Sequence, residues 1–181
     1  MTLTLLGDSI TSGYGLPPSQ RLPRQLQSEL HRRDLSWRVH GAGAAGDTTG
    51  DALRRLNRSI APGTSLCIVA VGANDVLTGV APAQFSADLT ALVGTLRSRG
   101  IIVILAGLHL PPYLGAGYAE AFNSTFIRLG RRAGVTLIPN WLAGVLGDPA
   151  LNQADCIHPN GAGVRIIARR LADAVAIAAP R

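Results

Sequence analysis

Ser9 directly follows the first hydrophobic run of the chain, in the segment Leu5-Leu6-Gly7-Asp8-Ser9-Ile10. If this run is a strand, the serine lies at its carboxyl end, which is where open α/β sheets bind their ligands. A serine hydroxyl is a poor nucleophile at neutral pH and needs an adjacent base. Ser9 is therefore either the N-cap of a helix or a candidate nucleophile, and the choice depends on finding that base.

His158 is the best candidate for the base among the four histidines of the chain. Asp155 precedes it by three positions, and residues with this spacing in a turn or a first helical turn lie on one side. The carboxylate can then accept the Nδ1–H of the imidazole and aim its Nε2 atom at the serine. Alternatively, Asp155 only caps the last helix. His109 is a rival base, but no carboxylate lies within five residues of it.

Acyl transfer also needs hydrogen-bond donors for the oxyanion that develops on the substrate. The backbone N–H of Ser9 is one candidate, and a glycine N–H from the turn after the second strand is another. Asn74 is the third, since it follows a buried strand through Gly72 and its amide then projects from the carboxyl edge of the sheet. Alternatively, Asn74 is a turn residue whose amide caps local backbone.

A glycine-rich segment from Gly41 to Gly46 matches the dinucleotide fingerprint G-x-G-x-x-G and suggests a nucleotide-binding module instead. The segment follows the second predicted strand, however, and the fingerprint belongs after the first. The acidic residue expected about 20 positions further on is missing, because that region reads Ser65-Leu66-Cys67. The next helix is predicted to start at Thr48, after the motif. The G-x-S-x-G motif of α/β-hydrolases is absent around Ser9.

The chain alternates between predicted strands and predicted helices throughout. Five strands joined by crossover helices predict a three-layer α/β/α sandwich around a five-stranded parallel sheet. No linker, repeat or low-complexity segment interrupts the pattern, so we expect a single domain over residues 1–181. The predicted strands are Thr2–Leu6, Ser36–His40, Leu66–Val71, Ile101–Ala106 and Val135–Ile138, and the predicted helices are Pro18–Arg33, Thr48–Ile60, Pro82–Ser98, Ala116–Ala133 and Pro159–Ala178.

The composition is 47% hydrophobic and only 4% aromatic, which is typical of a sheet buried between helices. All 17 basic residues are arginine, and the net charge of +6 invites a nucleic-acid interpretation. Arginine pairs recur around the whole chain, however, and no aromatic residues stand between them to stack bases. We therefore expect no nucleic-acid partner. The lone Cys67 and Cys156 are predicted to be free thiols, neither a disulfide framework nor a metal site.

Hydrophobic runs in the chain are too short for a membrane span of about 20 residues, so we expect no stable membrane insertion. The first predicted strand already begins at Thr2, which leaves no room for a signal peptide. The sequence therefore fits a cytoplasmic protein or a trimmed mature chain, and it does not separate these two.

Four segments together resemble the conserved blocks of the SGNH hydrolase superfamily, also called GDSL-type esterases, over nearly the whole chain. Within this superfamily, the chain is most similar to the small arylesterase, acyl-CoA thioesterase I and lysophospholipase L1 type. The details that indicate this type are Ala45-Gly46-Asp47-Thr48-Thr49, Leu110-Pro111 and Tyr118-Ala119-Glu120-Ala121-Phe122. Members of this type usually carry a signal peptide and are periplasmic. The four segments are Gly7-Asp8-Ser9-Ile10, in which Ile10 replaces the usual leucine, Ala45-Gly46-Asp47-Thr48, Gly72-Ala73-Asn74-Asp75 and Asp155-Cys156-Ile157-His158.

The resemblance implies a role for each matching residue. Ser9 would be the nucleophile, His158 the base and Asp155 its orienter. The backbone N–H groups of Ser9 and Gly46 and the side chain of Asn74 would form the oxyanion hole. The resemblance also implies the flavodoxin-like strand order 2-1-3-4-5 and a mechanism without a metal or cofactor.

The predicted substrate is a small carboxylic ester. The resemblance implies that loops at residues 76–81 and 110–115 bound the site. Their apolar residues favour an acyl chain over a sugar, unless these side chains merely anchor the loops; they are Val76, Leu77, Val80, Leu110 and Leu114. Aryl esters and short-to-medium acyl esters are expected, with thioesters and lysophospholipids as further candidates, and the protein is expected to be a monomer or a weak homo-oligomer. An O-deacetylase acting on carbohydrates is the alternative. The predicted substrate-binding residues are Asp8, Val76, Leu77, Leu110, Pro111 and Ile157.

Overall fold

Five strands form one parallel sheet in a computed structural model that describes residues 1–179. Their order across the sheet is β2-β1-β3-β4-β5, which confirms the order implied by the resemblance. The inner strands are almost entirely buried because helices cover both faces of the sheet. The strands are Thr2–Gly7 (β1), Arg38–Gly43 (β2), Thr64–Ala70 (β3), Ile102–Ala106 (β4) and Val135–Ile138 (β5).

Helices pack on both faces of this sheet and complete the predicted three layers. Helices α2 and α8 pack against each other, and α6 packs against both α3 and α7. Of the helices within residues 1–179, none is long and apolar enough to cross a lipid bilayer. They are Ser9–Ser12 (α1), Leu22–Arg32 (α2), Thr49–Arg54 (α3), Leu56–Ser59 (α4), Ala73–Leu77 (α5), Pro82–Ser98 (α6), Ala116–Gly130 (α7) and Gly161–Ala178 (α8).

Four of the five predicted helices differ from their predicted bounds, and the one predicted over Ala116–Ala133 ends earlier, at Gly130. The helix predicted from Thr48 to Ile60 begins with a capping box between Thr48 and Asp51 but breaks at Arg55 into α3 and α4. Residues 18–20 form a separate 3₁₀ turn ahead of α2. The last helix begins at Gly161, because Asn160 caps it through hydrogen bonds to the backbone N–H groups of the first turn.

Strand β2 continues beyond its predicted end at His40 and includes the first half of the glycine-rich segment. Its last three residues, Gly41 to Gly43, pair with Leu5, Leu6 and Gly7 of β1. A Cβ atom on Gly43 would lie 2.2 Å from the backbone nitrogen of Ser12, so the glycine lets α1 pack directly on the strand. Close packing between helix and strand accounts for this glycine, and half of the dinucleotide-like motif is sheet rather than a phosphate-binding loop.

Candidate active site

Ser9, His158 and Asp155 form a continuous chain of hydrogen bonds at the carboxyl edge of the sheet. The Oγ atom of Ser9 lies 2.9 Å from Nε2 of His158, and Nδ1 of the same ring lies 2.6 Å from Oδ2 of Asp155. Because an ionised carboxylate only accepts hydrogen bonds, Nδ1 carries the proton in this pair and Nε2 is free to accept one from the serine. The arrangement is that of a nucleophile, a base and the group that orients the base.

The turn that carries Asp155 is built around its carboxylate. The Oδ1 atom accepts the backbone N–H of Ile157 at 3.0 Å and that of His158 at 2.9 Å. Hydrogen bonds from the backbone and the ring of His158, and then from the backbone of Ile157, lower the pKa of Asp155 to about 2. The carboxylate therefore stays ionised at neutral pH. The alternative in which Asp155 caps the last helix is wrong, since Asn160 performs that task.

Ser9 is the first residue of α1, a single helical turn that begins directly after β1. The side chain of Asp8 caps this turn by accepting the backbone N–H of Ile10 at 3.0 Å. Asp8 is only 2% exposed, and burial raises its pKa to about 6 despite that hydrogen bond. Predicted as a substrate-binding residue, Asp8 contributes to the wall of a small cavity beside Ser9 and at the same time fixes the turn that presents the serine.

Asn74 reaches the same small cavity from the first turn of α5, which follows β3. The cavity has a volume of about 90 Å³. The Nδ2 atom of Asn74 donates a hydrogen bond to the carbonyl oxygen of Asp47 at 2.9 Å, and an amide nitrogen has a second hydrogen to donate. Gly46 immediately precedes that carbonyl and has a left-handed φ of 84°, which favours glycine. The structure thus brings Ser9, Asn74 and the Gly46 turn to one side of the sheet edge.

An apolar groove of about 400 Å³ continues from the small cavity, and the two share Ile10, Ala73, Leu77 and Ile157. Leu110 is held in the wall because the side chain of Asn123 bonds both its backbone N–H and its carbonyl, each at 2.9 Å. The predicted binding residues Val76, Leu77, Leu110 and Ile157 all line the groove, whereas Pro111 does not. The further lining residues are Leu108, His109, Leu114, Asn140, Leu142, Ala143, Gly144 and Leu146.

Several contributors to the site were missed by the sequence analysis. The segment 140–146 lines the groove, but it consists of irregular turns that carry no hydrophobic period. The ring of Tyr14 lies 4.7 Å from that of His158, in a tilted arrangement. The buried carboxylate of Asp75 accepts the backbone N–H and the hydroxyl of Thr49, which ties α5 to α3. Of these contributors, only Asp75 lies in a segment that the sequence analysis singled out, Gly72-Ala73-Asn74-Asp75, and the residue chosen there was Asn74.

His109, the rival base, lines the apolar groove rather than contacting Ser9, whose imidazole partner is His158. No cluster of three or more His, Cys, Asp or Glu side chains in residues 1–179 is arranged to hold a metal ion. Cys67 is a buried free thiol and Cys156 an exposed one, as predicted.

Proteins of known sequence place this arrangement in a family. The chain is 37% identical over 159 residues to the esterase TesA of Pseudomonas aeruginosa, a match that covers 87% of this chain and 79% of the relative. It is 30% identical over 160 residues to the Escherichia coli protein named thioesterase 1/protease 1/lysophospholipase L1, which covers 88% of this chain and 76% of that protein.

Solved structures and a family model agree with these sequence matches. A crystal structure of TesA superimposes with a TM-score of 0.90 at 33% identity, covering 99% of this chain and all of that one. The model of the GDSL-like lipase/acylhydrolase family matches residues 5–166, which include every residue of the candidate site. The chain therefore belongs to the GDSL-like lipase/acylhydrolase family.

Proposed function

We propose that this protein hydrolyses carboxylic esters through an acyl intermediate on the Oγ atom of Ser9. Carboxylic ester hydrolysis is the activity class of the family to which the chain belongs. The proposed mechanism rests on the hydrogen-bonded chain from Ser9 through His158 to Asp155, because this chain places a base 2.9 Å from the Ser9 hydroxyl oxygen.

In the first step the Ser9 oxygen attacks the ester carbonyl carbon while Nε2 of His158 takes the hydroxyl proton. The imidazolium is stabilised by the ionised Asp155. When the tetrahedral intermediate collapses, the ester bond breaks and His158 gives its proton to the leaving oxygen. Water then attacks the acyl-enzyme, with His158 first accepting a proton from it and then returning that proton to the serine oxygen, which releases the carboxylic acid.

The negative charge of each tetrahedral intermediate would be held by three donors. Ser9 begins a helical turn, and the N–H groups of a first turn have no acceptor within their own helix. The second hydrogen on Nδ2 of Asn74 and the N–H of Gly46 complete the set. The hydrogen bond from Asn74 to Asp47 fixes the Asn74 amide and the residue after Gly46 before the reaction, so little reorganisation of these two donors is needed when the charge forms.

The acyl part of the substrate would occupy the apolar groove. Its walls are mainly aliphatic, and its volume of about 400 Å³ suits a hydrocarbon chain rather than an acetyl group. This observation favours aryl and short-to-medium acyl esters over the O-acetylated carbohydrates of the alternative hypothesis. Thioesters and lysophospholipids are further candidates, since the E. coli relative is named for both.

Small-molecule esters are proposed to be the only partners of a monomer or weak homo-oligomer. Several arginines that give the chain its positive charge are engaged by carboxylates within the fold, as in the group formed by Glu29 with Arg32, Arg33 and Arg169. Such engaged guanidinium groups are less available to nucleic-acid phosphates.

The proposal is tested by replacing the nucleophile. Ser9→Ala is expected to abolish hydrolysis of p-nitrophenyl butyrate, whereas Ser28→Ala should keep wild-type activity because its hydroxyl only donates to a carbonyl on the exposed side of α2. Substantial ester hydrolysis by purified, folded Ser9→Ala would overturn the mechanism.

A further inference from the structure

We infer that Arg55 is a positioning residue that holds all three donor segments of the oxyanion hole, an inference that rests on the proposed function. Arg55 lies at the break between α3 and α4. Its guanidinium contacts three groups: Nε donates to the carboxylate of Asp47, Nη2 donates to the carbonyl of Gly7 at 2.9 Å, and Nη1 donates to the hydroxyl of Ser59 at 2.7 Å.

The first two of these contacts lead directly to the donor segments. Gly7 is the end of β1, two residues before Ser9, and its carbonyl also accepts the N–H of Ala44 at 3.1 Å. The end of β1 and the turn after β2 are therefore joined at one oxygen atom. Arg55 binds that same oxygen, so a shift of its side chain would disturb the backbone that presents Ser9.

The contact with Asp47 leads to the other two donors. Asp47 directly follows Gly46, and its own carbonyl oxygen receives the hydrogen bond from Asn74. Because Arg55 binds the Asp47 side chain, it fixes the turn that contains Gly46. It also fixes the Asp47 carbonyl oxygen, which orients the Asn74 amide. One guanidinium is thus connected to all three proposed donors through at most two hydrogen bonds.

Charge gives Arg55 a second effect. Its side chain is 11% exposed and that of Asp47 is 15% exposed, so the pair is largely shielded from solvent. Removing the arginine would leave an unneutralised carboxylate one residue from the proposed hole, where it would repel the developing oxyanion. Replacing a whole buried ion pair is often close to neutral for stability, whereas removing one partner is destabilising because it leaves an uncompensated charge. Arg55→Met is therefore expected to lose stability as well as kcat, and its kinetics are measured at a temperature at which it is folded.

Lysine cannot replace this residue. The planar guanidinium has five donors in a fixed fork, and the three contacts use separate nitrogen atoms. An ammonium would preserve the charge opposite Asp47 but could not bridge the three acceptors in the same geometry. Arg55→Lys therefore separates the geometric effect from the electrostatic one, and Arg55→Met removes both.

The test measures kcat and KM of Arg55→Met and Arg55→Lys with p-nitrophenyl butyrate. We expect kcat to fall about 10- to 100-fold in Arg55→Met, less than the loss of a direct donor, with KM within about twofold of wild type. The kcat of Arg55→Lys should lie between that of Arg55→Met and that of the wild type. Arg58→Met is the matched control, since Arg58 is an exposed arginine one turn further on in α4, and it should keep wild-type kinetics.

Two further readouts distinguish positioning from a general loss of structure. A linear alkylboronic acid forms a tetrahedral adduct with the serine, and its affinity should fall by about the same factor as kcat/KM. Adding Asp47→Asn to Arg55→Met should recover at least about threefold in kcat, because it removes the unneutralised charge. Because Asp47→Asn also relieves the cost of an unpaired buried carboxylate, kcat is compared only at temperatures at which all the variants are folded.

Wild-type kcat in folded Arg55→Met would overturn the inference, as would a fall in kcat/KM without weaker boronate binding. If Arg55→Met does not fold, Arg55→Lys decides, and wild-type kcat in that variant overturns the inference. Ser9→Ala is assayed in parallel. Retained activity in Ser9→Ala refutes the proposed function, whereas an inactive Ser9→Ala beside an unimpaired Arg55→Met refutes the role of Arg55 alone.

Discussion

The apolar groove beside Ser9 should make activity depend steeply on the length of the acyl chain. Each methylene group moved from water into an apolar site is worth about 0.8 kcal/mol, which corresponds to roughly a fourfold increase in kcat/KM. The four additional methylenes of a hexanoate over an acetate would then give an increase of about 200-fold as an upper value. The gain should stop when the chain fills the volume of about 400 Å³.

The assay is a series of p-nitrophenyl esters from acetate to decanoate, with kcat/KM divided by the rate of alkaline hydrolysis of each ester. This ratio removes differences in chemical reactivity and leaves the contribution of the groove. A flat ratio from acetate to octanoate, or a decrease from acetate onward, would refute the assignment of the groove as the acyl site.

A blocking variant supplies the control for this series. Ala143 is exposed in the wall of the groove, so Ala143→Phe should lower octanoate hydrolysis about tenfold or more and leave acetate within about twofold. Ala150 is also exposed and in a turn but does not line the groove, and Ala150→Phe should leave the whole series unchanged. Equal effects of the two variants would contradict the assignment.

Three further predictions concern the reacting centre. Asn74→Ala should lower kcat about 10²- to 10³-fold in steady-state assays through loss of an oxyanion donor, and a loss below about threefold would exclude that role. Asp155→Asn should lower kcat about 10³- to 10⁴-fold, because the amide no longer selects the Nδ1–H tautomer of His158; near-wild-type turnover would contradict the triad. The pKa of Asp8 is raised by burial to about 6, so the folded state holds the proton more tightly than the unfolded state and stability falls as pH rises from about 4 to 6. Asp8→Asn should therefore be more stable than wild type above that range, by up to about 3 kcal/mol, and thermal melts that show no gain at neutral pH would contradict this.

Local spacing made Ser9, His158 and Asp155 candidates for a catalytic chain, and the family resemblance assigned their three roles. The three-residue interval between Asp155 and His158 places both groups in one turn, and the hydrophobic run before Ser9 places it at the end of a strand. The groove residues on α5 and at Leu110 were also predicted, because they belong to loops at the same edge of the sheet. The strand order came from the family resemblance, since periodicity does not specify which strands are neighbours.

Tertiary packing determined what the sequence did not predict. Arg54 and Arg55 are one of the arginine pairs that recur along the sequence, and nothing in that pattern indicated that the helix breaks there and that Arg55 contacts Asp47 and Gly7. The glycines of β2 looked like a loop, but close contact with α1 keeps them in the sheet. Tyr14 and the groove segment 140–146 lie in irregular turns, where no hydrophobic period reports burial.

Covalent labelling of the nucleophile tests the central claim most directly. A fluorophosphonate should add to the wild-type protein with loss of fluoride, give one adduct per chain by intact mass spectrometry, and map to the peptide that contains Ser9. Labelling should be lost in Ser9→Ala and strongly slowed in His158→Ala, because the base is then missing. An adduct that maps to another residue, or labelling that persists unchanged in Ser9→Ala, would contradict the account.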